Sequence, residues 1–196
     1  MEFQEKARKF RFWSDRQAFV YGKLLINKIL KEHTSLNLID IQYNEYGKPF
    51  VYCDLSFNIS HSGQYVICLF SLTRNSLGID IEKIEPNINI SDFKEVLTSG
   101  ESLKIASSED TLGTFYEIWT IKEAGMKADG RGLSIPLDQI EIDLESLKIG
   151  ITKWYYRNLV IDKDYKCHLV IDSPDFNVTV QKVKKEDLTG HKLLVY

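Results

Sequence analysis

The sequence predicts an α+β fold built as two halves, and three observations carry that prediction. Residues 15–31, DRQAFVYGKLLINKILK, place apolar side chains at 18, 19, 20, 24, 25, 26, 29 and 30, which is helical spacing. Residues 77–84, LGIDIEKI, place them at 77, 79 and 81, the period of two that a strand requires. A second strong helical pattern, 112–129, is followed by short apolar runs. The order helix–strands–helix–strands therefore divides the chain into 1–90 and 91–196, parting near 84–92.

Taken in order, Asp15, just after Ser14, is the expected cap of the first helix. YNEYGKPFV at 43–51 is turn chemistry, with Gly47 and Pro49 bracketing Lys48. LSFNISHSG leads into QYVICLFSL at 64–72, which is apolar on both faces and reads as a central strand buried on both sides. Asn75 and Ser76 then turn the chain into LGIDIEKI, so those two strands are expected to form a hairpin. Residues 91–106 read as helix, broken around Ser99-Gly100, and 112–129 as the clearest helix, stopped by Gly130. GRGLSIPLDQIEIDL is a glycine turn and a strand, and KWYYRNLVI, YKCHLVIDS and NVTVQKV are further short strands.

The chain has 196 residues, is 43% hydrophobic and 12% aromatic, and has 4 prolines, which suits a folded domain or two small halves sharing an interface. No run approaches the roughly 18 apolar residues of a membrane helix. MEFQEKARKF lacks the apolar core of a signal peptide, and Cys53, Cys68 and Cys167 are far apart with no C-x-x-C spacing, so a cytoplasmic protein without disulfides or structural zinc is expected. The net charge of −3 is uneven: residues 1–31 carry eight basic side chains against three acidic ones, and residues 85–110 six acidic against two basic. Such a chain suits a compact polyanion, a nucleotide or phosphorylated cofactor, better than nucleic acid at large; the basic residues equally suit a solvated helix face.

The alternation in LGIDIEKI puts Asp80 and Glu82 on one strand face, their Cα atoms about 6.5–7 Å apart, with Gly78 leaving room beside them. Two ionised carboxylates in a partly buried place repel unless a cation or proton lies between them. Magnesium, which takes one or two carboxylates with substrate phosphate oxygens and water, fits such a pair; a solvated strand face, or one paired with Lys83, is the other reading. Trp119, Glu123 and Lys127 sit at i, i+4 and i+8 and share one side of their helix, where a Glu–Lys pair is also ordinary surface decoration. The glycine-rich ADGRGLSIP that follows suits close approach of a ligand or of another backbone. His61, between Ser60 and Ser62 and followed by Gly63, is placed to face a phosphate or to serve as a structural hydrogen-bonder.

YGKP (46–49), FNISHSG (57–63), GIDIEKI (78–84) and FYEIWTIKEAGMKADGRGLSIPL (115–137) together resemble the signatures of Sfp-type 4'-phosphopantetheinyl transferases, in that family's order and at about its spacing. The resemblance implies two similar α/β halves related by a pseudo-twofold, with coenzyme A in the cleft between them. It implies magnesium on Asp80, Glu82 and Glu123, and coenzyme A contacts from Lys48 (adenine), Ser60 and His61 (3'-phosphate), Lys122, and Lys127 (pyrophosphate). The implied reaction moves the phosphopantetheine arm onto a serine of an acyl, peptidyl, polyketide or aryl carrier protein, with Glu123 and Lys127 as catalytic residues, and a single-chain pseudo-dimer implies a monomer. The family's basic residue on the first long helix has Phe19 and Val20 as its nearest equivalents here, which leaves Lys6, Arg8, Lys9 or Lys23 for the 3'-phosphate. Phe93, Val96, Leu97 and Leu103 are expected either to close the core of the first half or to pack on a carrier helix.

Overall fold

The computed structural model describes residue 5 and residues 7–189. The chain forms two compact units, Met1–Ile41 with Asp175–Tyr196, and Gln42–Pro174. Lys6 lies outside the described residues.

In the first unit, helix α1 (Trp13–His33) buries Gly22, Ile26, Ile29 and Leu30, one stripe at helical spacing. It begins two residues before the expected cap. Phe12 is the cap position, and Asp15 lies inside the first turn, where its charge faces the positive end of the helix. Thr34 closes the other end, its backbone N–H and its hydroxyl both donating to Leu30 O. In the same unit the ammonium of Lys185, on the short helix Lys185–Thr189, lies 5.9 Å from the Tyr21 ring centre.

The second unit opens with a ribbon, β1 (Gln42–Tyr43) against β2 (Pro49–Phe50). Asn44 Oδ1 accepts from the N–H groups of Tyr46 and Lys48, and Gly47 supplies the left-handed residue of the turn, φ 87°. β3 (Ser56–Ser62) and β4 (Tyr65–Ser71) form a hairpin around Gly63-Gln64. β5 (Leu77–Lys83) does not pair with β4. It leads an antiparallel five-stranded sheet in the order β5-β9-β8-β7-β6, with β6 (Ile140–Ile142), β7 (Ser146–Ile149), β8 (Thr152–Asn158) and β9 (Tyr165–Ile171). The expected β4–β5 hairpin is thus replaced by two pairings. At the linker the Asp172 carboxylate, at the end of β9, accepts from Ser76 N (2.8 Å) and Asn75 Nδ2 (3.1 Å), tying the start of β5 to β9. β4 is accordingly half-buried and not central, with Phe70 exposed. β5, not β4, is the deeply buried strand, from Leu77 to Ile81.

Helix α2 (Ser99–Ser107) starts from a reciprocal cap between Thr98 and Glu101, so the break expected at 99–100 falls at 97–98; the stretch before it, Ile90–Val96, is a 3-10 helix. Phe93 and Val96 pack with buried Leu97 on Phe115, Tyr116 and Ile118, closing the core, while Leu103 is exposed. Residues 177–183 form no strand; pairing stops at Ile171, shortly before Pro174.

Helix α3 (Thr111–Asp129) is capped by Asp110, whose Oδ1 accepts from Gly113 N, and ends at Gly130, φ 90°. It lies across β5 and β9, burying Ile121, Ala124, Met126 and Ala128 against Leu147, Ile149, Trp154 and Val170. Gly78 permits that contact: a Cβ there would lie 2.1 Å from Ala124 O and 2.4 Å from Ala128 N. Among the described residues no helix is long and apolar enough to cross a membrane.

Candidate active site

The close approach of α3 to β5 brings Asp80 to Lys127 and sets Glu82 and Glu123 within reach of its charge. Asp80 is 2% exposed. Its Oδ1 accepts from Lys127 Nζ at 2.6 Å and from Ser60 Oγ at 2.9 Å, and Lys127 Nζ also reaches Ser60 Oγ at 3.0 Å. Asp80 Oδ2 is buried with no hydrogen-bond partner. Glu82, two residues along the same face, is half-buried, and its Oε2 accepts from Ser62 Oγ at 2.8 Å.

The electrostatics follow from burial of several acids in one place. Desolvation pushes Asp80 above the usual carboxylate range, against the pull of Lys127. Desolvation pushes Glu82 up to about 7, opposed by its Ser62 hydrogen bond and helped by the charge of Asp80. Glu123 is raised by desolvation and then by Asp80, with Lys127 opposing. Three acids raised together around one lysine make a place short of positive charge.

Among the described residues no three His, Cys, Asp or Glu side chains are gathered as a ready metal site. The donors still fit magnesium: a hard cation would partner the orphaned Asp80 Oδ2 and relieve the repulsion, and magnesium usually keeps water and substrate oxygens in its shell.

The remaining expected residues divide. Lys48 is half-buried and donates to Leu77 O (3.1 Å) and Ala128 O (2.8 Å); desolvation lowers it to about 8. It lines a cavity of about 220 Å³ with Tyr46, Pro49, Asn58, Lys127 and Gly130. His61 is exposed, on the face of β3 opposite Ser60 and Ser62, and is not brought to the carboxylates. Ser60 is committed inside the cluster: it donates to Asp80 and accepts from Lys127 and from Ile81 N, so no hydroxyl proton remains for a phosphate. Lys122, expected on coenzyme A, is a structural residue. It is 1% exposed, and its three N–H bonds go to Val96 O, Leu137 O and Glu101 Oε2. The reason is rotational: five residues at about 100° each place Lys122 and Lys127 about 140° apart around the helix. Trp119 packs edge-on against Phe93, ring centres 5.1 Å apart, and so belongs to the core.

Sequence reasoning passed over Asn58 and Ser62. Asn58 Oδ1, Ser60 Oγ and Ser62 Oγ accept in turn from the N–H groups of Ile79, Ile81 and Lys83, at 2.9, 3.4 and 3.0 Å. The signal was the polar residue at every second position of N-x-S-x-S, in register with G-x-D-x-E twenty residues on.

This geometry has known counterparts. Residues 76–180 match the family model of the 4'-phosphopantetheinyl transferase superfamily, and residues 1–72 match that of the 4'-phosphopantetheinyl transferase N-terminal region. The chain is 32% identical over 200 residues to the 4'-phosphopantetheinyl transferase Sfp of Bacillus subtilis, covering 95% of this chain and 88% of that protein. It is 32% identical over 199 residues to the 4'-phosphopantetheinyl transferase gsp of Aneurinibacillus migulanus, covering 94% and 83%. The human L-aminoadipate-semialdehyde dehydrogenase-phosphopantetheinyl transferase is 33% identical over 172 residues, covering 79% of this chain and 55% of its own length. An α+β chain with a carboxylate pair held against a lysine-bearing helix thus has its place: it belongs to the 4'-phosphopantetheinyl transferase superfamily.

Proposed function

We propose that this chain transfers the 4'-phosphopantetheine arm of coenzyme A to a serine of a carrier protein and releases adenosine 3',5'-bisphosphate. The observation that carries the reading is the cluster of Asp80, Glu82, Glu123 and Lys127 at the contact of β5 with α3, in a chain of this family. The serine oxygen attacks the β-phosphorus, a new P–O bond forms, and the bond to the bridging pyrophosphate oxygen breaks. That oxygen leaves with the adenosine bisphosphate and its electron pair. The serine proton passes to the Glu123 carboxylate, directly or through one water. Lys127, already held at the cluster, turns an N–H toward the pyrophosphate and counters the charge that develops there. Magnesium held by Asp80, Glu82 and Glu123 would supply the remaining neutralisation of the pyrophosphate. The cavity beside Lys48 suits the adenine end, and exposed His61 the 3'-phosphate.

The test is intact-mass analysis of an apo carrier protein incubated with this chain, coenzyme A and magnesium. The carrier is expected to gain the mass of one phosphopantetheine arm, and to gain nothing without the metal or with Glu123→Ala. Asp80→Ala is expected to abolish the gain while the far-ultraviolet spectrum stays that of the wild type. No gain on acyl, peptidyl or aryl carriers, with coenzyme A still bound, would reduce the chain to a binding module.

A further inference from the structure

β5 has two edges with different partners. One edge pairs with β9 through the backbone; the other meets the side chains of β3, so that each N–H of alternate β5 residues finds an amide or hydroxyl oxygen. Within this row the two serines repeat one pattern. Ser60 donates to Asp80 and accepts from the next residue's N–H; Ser62 donates to Glu82 and accepts from the next residue's N–H. Each serine thus engages a single oxygen of its carboxylate. At Asp80 the consequence is visible, since Oδ1 is taken and Oδ2 stays buried without a partner.

We propose that Ser62 is a positioning residue for Glu82, fixing the carboxylate so that it presents one oxygen to the divalent cation that Asp80 and Glu82 hold, as Ser60 does for Asp80. The proposal rests on the magnesium reading above. A hydroxyl bonded to a carboxylate oxygen removes that oxygen from competition and freezes the side-chain torsions, so the cation meets a preset ligand. Ser62 is the cleaner of the two to test, because Ser60 also touches Lys127, whereas the Ser62 hydroxyl bonds, among the described residues, to Glu82 and the Lys83 N–H.

The experiment is calorimetric titration of Mg²⁺ or Mn²⁺ into the full chain with coenzyme A present and carrier absent, a coenzyme A blank being subtracted. Ser62→Ala is expected to weaken cation binding roughly tenfold, the low end of what loss of a ligand's supporting hydrogen bond causes, and Ser62→Thr, which keeps the hydroxyl, to restore it. In the Glu82→Gln background Ser62→Ala is expected to cost nothing further, because the serine acts through that carboxylate. With carrier added, the metal concentration for half-maximal rate should rise by the same factor while kcat at saturating metal holds within about twofold. Equal affinity in wild type and Ser62→Ala, or an unchanged loss in the Glu82→Gln background, overturns the proposal. No cation binding by the wild type would instead overturn the magnesium reading beneath it.

Discussion

Two lysines of α3 show how burial assigns opposite work to one residue type. Lys122 spends its charge inside the core, on Glu101 and two carbonyls; Lys127 holds Asp80 at the rim of the helix and is still partly exposed. Lys122→Met leaves a nearly buried carboxylate and two carbonyls without their donor, and stability is expected to fall by about 3 kcal/mol, read as a lowered melting temperature. Lys127→Ala is expected to slow turnover by about 10²–10³-fold, with a much smaller change in melting temperature. Asp80, left alone, can take up a proton where a fixed buried charge could not, and its affinity for that proton is already raised. Unaltered turnover in Lys127→Ala would leave this residue a structural partner of Asp80 with no part in the chemistry.

At the scale of elements, the β5–α3 contact is made by what β5 lacks. The nearest atoms to a Cβ at Gly78 are helix backbone, which cannot turn aside as a side-chain tip would. Gly78→Ala is therefore expected to cost about 3 kcal/mol or more and to lift Lys127 off Asp80, so that turnover and unfolding midpoint fall together in denaturant titration. Much of this was legible beforehand. The alternation in LGIDIEKI, the span of α3 and its glycine stop, and the shared side of Glu123 and Lys127 all follow from local periodicity, which the chain declares within a dozen residues. Strand partnership is not declared locally. β4 and β5 are close in sequence, yet β5 takes its partner from β9, at residues 165–171. An apolar β4 reads as central because composition cannot distinguish a strand covered on one face from one covered on two. Lys122 shows a different limit of the sequence: its motif neighbours are site residues, but its rotation around the helix sends it elsewhere.

For the molecule as a whole, acid tolerance is set partly by a residue outside the proposed chemistry. His168 on β9 is 2% exposed, its Nδ1 lies 2.7 Å from Thr120 Oγ1, and Thr120 Oγ1 donates to Tyr116 O. Burial, then the charge of Lys166, lowers His168 to about 4. A histidine depressed in the folded state contributes stability above its unfolded value, near 6.5, and that contribution is lost as pH falls toward about 4. The raised Asp80, Glu82 and Glu123 act in the opposite sense, so the histidine is read by difference: between pH 6.5 and 4 the wild type is expected to lose melting temperature relative to a folded His168→Gln variant, and imidazole NMR should find His168 neutral at pH 5. The row of Asn58, Ser60 and Ser62 has a second consequence, for solubility. A strand with one bare row of N–H groups is an invitation to a strand from another chain, and here that row is closed by short polar side chains that offer no continuing ladder. The side chains set beside the carboxylates also keep a largely buried strand from recruiting a neighbour.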